Sequence, residues 1–200
     1  MNLSYQYDMN TSKFNRLADL LNEISSLNYL IDNNSVINQD EKNKLRIKLN
    51  EIEKSINDNF ESYKSVNAVN NFTVLTKNKI EELKKQLNIL TLATKKINIV
   101  LNKKNELKES INRHKFLPDD FKATYATNLA LISDKYILKI LKSKDNNYIN
   151  FLTEISFFEL EKINSVYGLK DYFEITNLNF IQHVREQNSD VLLLYENSAK

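Results

Sequence analysis

"QLNILTLATKKINIVLNKKN", Gln86 to Asn105, is the stretch on which the fold turns. At about 100° per residue, Leu87, Leu90, Ile97 and Leu101 share one side of a helix. Ile89, Leu92, Ile99 and Val100 fall on the others, although lysines flank the segment. A helix that is apolar nearly all the way round wants contacts on several sides. Either this waist is sandwiched between earlier helices and something later in the chain, or its second apolar side is left for a partner.

Outward from the waist, the spacing predicts a helix from about Thr76 to Arg113. Its stripe is Ile80, Leu83, Leu87, Leu90, Ile97 and Leu101, with Lys77, Lys84, Lys85, Lys95, Lys96 and Lys103 gathered opposite. Upstream, Asn67, Asn70 and Asn71 compete with the helical backbone and Thr73 and Val74 are β-branched, so a turn is expected near Asn70, with one bent continuous helix as the alternative. Before it, Asn38 with Glu41 three residues on forms a capping box, and Leu45, Leu49, Ile52, Ile56, Phe60 and Tyr63 make a heptad-like run. The first helix is expected to start at Thr11 or Ser12 and to carry Phe14, Leu17, Leu21, Ile24 and Ile31, widened by Leu20, Leu27 and Leu30. Asp32 to Ser35, "DNNS", ends it as a turn.

Downstream, "HKFLPDD" is the clearest boundary. Pro118 suits a first helical position, and Asp119 and Asp120 suit the positive end of a helix dipole. That helix runs through Phe121, Tyr125, Leu129, Ile132, Tyr136, Ile140 and Leu141. "SKDNN", Ser143 to Asn147, turns into a fifth helix bearing Phe151, Ile155, Phe158 and Ile163, which Gly168 would stop. A sixth helix through Tyr172, Phe173, Ile175, Leu178, Ile181 and Val184 follows in this reading, and "DVLLLYENSAK" reads equally as strand or helical turn.

The expected fold class is therefore all-α: a long antiparallel helical hairpin or three-helix bundle, coiled-coil-like, followed by a small helical C-terminal lobe. Residues 1–10 are expected to be a flexible N-terminus, 11–115 the long-helix region and 116–200 the compact lobe. Composition agrees. The 200 residues hold one glycine and one proline, where average usage would give about 14 and 10, so short-turned sheets lack their punctuation. Ten Phe and ten Tyr supply bulk for a core. The excess of lysine, asparagine, isoleucine, phenylalanine and tyrosine is that of A/T-rich codons and points to an AT-rich bacterium, phage or parasite, which discounts those residues as functional evidence.

Composition also excludes chemistry. Without cysteine there is no thiolate metal site, disulfide or cysteine nucleophile. Walker loops, dinucleotide fingerprints and serine elbows need glycines that are missing. The two histidines, His114 and His183, have no partner at i+3 or i+4, so a metal site is not expected. Glu159 and Glu161 in "ISFFELEKI" are the only carboxylates set in a strongly apolar run, and are the weak candidates for an acid/base pair. No catalytic residue, cofactor or metal is assigned.

A net charge of +2 with both signs interspersed is far from the dense patch of a nucleic-acid binder. Weak nucleic-acid binding by the lysine face of the third helix is a second alternative. The first is a membrane-active helical toxin or a secretion-apparatus component; "INIVL" and "VLLLY" are too short to span a bilayer. No Sec-type signal is evident at the N-terminus, so the cytoplasm is the default and a non-Sec export route stays compatible. The favoured function is non-catalytic binding of another protein, as an adaptor, inhibitor or effector, with a homodimer through the N-terminal helices as one form of it. The residues expected to meet the partner are Leu92, Ile99, Val100, Lys84, Lys95 and Lys96 at the waist, and Leu192, Leu193 and Tyr195 near the C-terminus.

Overall fold

The computed structural model describes residues 3–59, 62, 65–115 and 117–166. They are all-helical, with no strand among the described residues: α1 (Leu3–Asp32), α2 (Gln39–Asn59), α3 (Val66–Asn112), α4 (Asp119–Lys142) and α5 (Asn146–Val166). The sixth helix, Gly168 and "DVLLLY" lie outside the described residues. Contacts divide the chain into two compact units, Met1–Thr91 and Leu92–Lys200. The division falls inside α3, which has buried residues on either side of it.

In the first unit, α1, α2 and the beginning of α3 share one apolar cluster. It contains Leu20, Ile24, Leu27 and Ile31 of α1, Leu45, Leu49, Ile52 and Ile56 of α2, and Val69, Ile80, Leu83 and Leu87 of α3. The four α2 residues are those the heptad-like run singles out. Phe60 and Tyr63, the end of that run, are outside the described residues. On α1 the buried side differs from the expected stripe. Phe14 is 71% exposed and Leu20 and Leu27 are fully buried, so the i, i+4, i+7 set starting at Leu20 carries the packing.

Polar pairs set the helix directions. Glu23 meets Lys77 at 3.2 Å and Lys84 at 3.8 Å, and just past the end of α1 the Asn34 amide donates to Thr91 Oγ1 at 2.7 Å. Both partners advance together, so α1 and α3 run parallel. The short Asn33–Asn38 connection reverses α2. Asn34 Oδ1 accepts from the backbone amides of Val36 and Ile37 at 2.9 and 3.2 Å, an Asx turn of the kind "DNNS" announces. The capping box is formed: Glu41 N donates to Asn38 Oδ1 at 2.9 Å, and Asn38 N to Glu41 Oε2 at 3.3 Å.

Two helix starts lie earlier than expected. α1 begins at Leu3, and α3 begins at Val66 with Ser65 Oγ accepting from Ala68 N. The turn expected near Asn70 is therefore a helical segment. Thr73 returns its hydroxyl to Val69 O at 2.8 Å, and Val69, Thr73 and Thr76 are buried in line with Ile80. Burial of that stripe outweighs weak propensities of a few tenths of a kcal/mol per residue.

In the second unit, α4 and α5 form an antiparallel pair. Tyr136 bonds Glu159 while Tyr125 bonds Asn164, so position falls along one helix as it rises along the other. Small buried residues lie on their packed faces: Ser133 on α4, Thr153 and Ser156 on α5. Each hydroxyl bonds a carbonyl three or four residues back in its own helix, which satisfies it without a partner across the gap. The buried α5 residues are thus Ile149, Leu152, Thr153, Ser156 and Leu160. Phe151 and Phe158, which the apolar spacing of this helix singles out, are exposed.

The waist of α3 follows from the two units. Up to Thr91 the buried positions are Ile80, Leu83 and Leu87; from Leu92 on they are Ala93, Val100, Leu107 and Ile111. Continuing the first series in heptads would reach Leu90, Thr94, Ile97 and Leu101, whereas Ala93 and Val100 each fall one residue before it. The second series is out of phase with it. Leu90, Ile97 and Leu101 are consequently only partly buried, whereas Val100 is fully buried.

Candidate functional site

Leu92, Lys95, Lys96 and Ile99 stand at i, i+3, i+4 and i+7, which places them in one strip of the α3 surface. Leu92 and Lys96 are half-buried, Lys95 is exposed, and Ile99 is 42% exposed. Val100, expected beside them, is absent from this strip. It is fully buried within the chain and cannot meet a partner on a folded surface. Lys84 is drawn off as well: it donates to Glu81 Oε1 at 2.6 Å and lies near Glu23. The Glu81 hydrogen bond, with the attraction of Glu81 and Glu23, holds its ammonium above the ordinary lysine range against some desolvation. Leu192, Leu193 and Tyr195 lie outside the described residues.

Part of the lysine face of α3 is engaged by carboxylates. Lys77 pairs with Glu23 at 3.2 Å, and Lys103 with Glu161 at 2.5 Å and Glu106 at 3.7 Å. Of the six lysines expected on that face, these two and Lys84 have carboxylates in reach.

The carboxylates considered as an acid/base pair are separated by their partners. Glu159 accepts from Tyr136 Oη at 2.6 Å and from Lys135 Nζ at 3.1 Å, whereas Glu161 reaches Lys103 of α3. The Tyr136 hydrogen bond, then Lys135 and Lys139, hold the Glu159 carboxyl below its usual range in spite of partial desolvation. A general acid needs the opposite shift. Tyr136 is the group that moves most: burial first, then the hydrogen bond to Glu159 and its charge, push the phenol up to about 12. Lys135 and Lys139 lie 5.0 and 5.4 Å from its ring centroid. This cluster ties α4 to α5. His114 sits at the end of α3 with its pKa lowered by burial and by Lys122, and His183 lies outside the described residues. Among the described residues no three His, Asp or Glu side chains converge as a metal site.

A shallow groove of about 370 Å³ lies between α2 and α3 in the first unit. Ile52 and Leu83 lie at its base, Lys48 and Glu51 on one rim, Lys79 and Glu82 on the other. Lys48 Nζ donates to Gln86 Oε1 across it at 2.9 Å. Two ammonium groups and two carboxylates leave it without a net charge to select a ligand.

Sequence reasoning missed the outward faces of α4 and α5. Leu131 and Leu138 are seven residues apart, as are Phe151 and Phe158, and all four are exposed together with Leu141 and Tyr148. No described helix is long and apolar enough to cross a membrane. Comparison of the chain with protein-family models, curated proteins and solved structures gave no match.

Proposed function

We propose that this protein is a non-catalytic helical interaction module that binds another protein through amphipathic helix surface. The fuller architecture that goes with this reading is a long-helix bundle followed by a small helical lobe, the bundle displaying the waist of α3. The observation that supports it is the exposure of Ile99, with half-buried Leu92 one heptad away and Lys95 and Lys96 between them. A strip with apolar residues at i and i+7 rimmed by cations suits a groove or a second helix with acidic flanks. Self-association through such a strip is one form of the same function.

The test is a photo-crosslinking residue in place of Ile99, irradiated in native cell extract. A discrete adduct is expected, absent when the same residue replaces exposed Lys108 and lost when Leu92→Lys is added. Light scattering of the purified adduct separates a second copy from a different protein. Equal labelling at both positions, or none at either, would overturn the reading.

A further inference from the structure

The outward side of α5 has the spacing of a helix-packing seam. Tyr148, Phe151, Ile155 and Phe158 follow one another at intervals of three, four and three residues, as core positions do in paired helices. They lie on the side away from the buried Ile149, Ser156 and Leu160. Tyr148, Phe151 and Phe158 are exposed and Ile155 is half-buried. Two charges accompany the seam: exposed Lys162 continues it one turn beyond Phe158, and exposed Glu154 stands on its flank.

The sequence after Val166 carries the signals of a return along this seam. Gly168 suits the left-handed stop of a helix, and Asp171 with Glu174 three residues on is the pattern of a capped start. Residues 167–171 match the short loop that joins two antiparallel helices. Beyond them Phe173, Phe180 and Val184 share one helix face, at i, i+7 and i+11.

We propose that residues 172–186 fold back along α5 as an antiparallel helix and cover the seam from Tyr148 to Phe158. The loop fixes the register, because each step back from Val166 is matched by one step on from Asp171. Phe180 then meets Phe158, and Val184 lies between Phe151 and Ile155. In the same register Glu174 comes opposite Lys162 and His183 opposite Glu154, which complements both charges of the seam. Residues 152–166 and 172–186 are equally long, about 22 Å of helix each at 1.5 Å per residue. A second copy of the chain fits worse. Laid antiparallel with each Phe151 against the other Phe158, it brings the two Glu154 carboxylates together, and it has to associate from dilute solution. The chain's own segment is held at an effective concentration of roughly millimolar.

The chain has no cysteine, so paired cysteines can report the register in the full-length protein. In E154C/H183C a short bismaleimide should link the two positions within one chain at least about tenfold faster than in E154C/E174C. The second site of that control lies about 13 Å further along the axis. Equal rates in the two pairs, or links formed between chains, overturn the proposal. By hydrogen exchange, the amides of residues 175–186 in the wild type should be at least about tenfold more protected than in F151E/F158E, with those of α4 alike in both. Wild-type exchange over residues 175–186 at the free-peptide rate overturns the proposal without recourse to any variant.

Discussion

Tyr136 Oη donates to Glu159 Oε1 at 2.6 Å and joins α4 to α5 through a buried phenol and a partly buried carboxylate. Lys135 holds the same carboxylate from the solvent side at 3.1 Å. Tyr136→Phe removes the donor and leaves Glu159 its lysines. A loss of about 1–2 kcal/mol in urea unfolding is expected, because a hydrogen bond to a charged acceptor is worth more than a neutral one. Lys135→Ala, removing a half-exposed partner, should cost at most about 1 kcal/mol.

The same pair gives the stability two pH edges. The folded Glu159 carboxyl is held below its unfolded value, so its contribution is present above that unfolded value and lost as pH falls through the folded one. Tyr136 is raised from 10.0 to about 12. Its contribution is whole below pH 10 and lost as pH rises from there towards about 12. Thermal melts of wild type and Tyr136→Phe across both edges should converge at each extreme; a constant difference at every pH would show that the bond is not the source.

Ile99 and Val100 are neighbours in sequence and opposite in burial. Val100→Ala empties a fully buried site and should destabilise by about 2 kcal/mol. Ile99→Lys changes an exposed position and should stay within about 0.5 kcal/mol. Denaturant midpoints of the two variants decide the matter, and equal losses would mean that α3 is rotated from the described register.

Asn38 caps α2 through its bond from Glu41 N at 2.9 Å. Asn38→Ala should cost about 1 kcal/mol, and Asn38→Asp or Asn38→Ser should restore most of it. A rescue by neither would show that the cap contributes nothing at this end.

Ser156 is fully buried on α5 and donates to Thr153 O at 2.7 Å. Ser156→Ala should be nearly neutral, since the hydroxyl and its acceptor are in one helix. Ser156→Leu should cost about 1–3 kcal/mol by overpacking. A neutral leucine variant in calorimetry would mean that α4 and α5 are not closely apposed there.

What the chain determined by itself was local: helix class from its lack of glycine and proline, the Asn38–Glu41 box, the Asx turn at Asn34, the start of α4 beside Pro118, which is its N-cap and not its first helical residue, and the buried face of α2. Each depends on groups within a few residues of one another, so spacing and residue type suffice. Tertiary structure decided the rest. Thr73 and the asparagines near it were overruled because Val69, Thr73 and Thr76 are buried beside α1 and α2. Phe151 and Phe158 went outward because Ser156 and Thr153 sit on the face of α5 that packs closely. The all-round apolar waist of α3 shows the division best. Periodicity revealed that several faces were apolar, but only packing could say that Leu87 belongs to one core and Val100 to another, which leaves Ile99 to the surface. Burial is a property of what lies against a helix, and a helix's own sequence does not contain its neighbours.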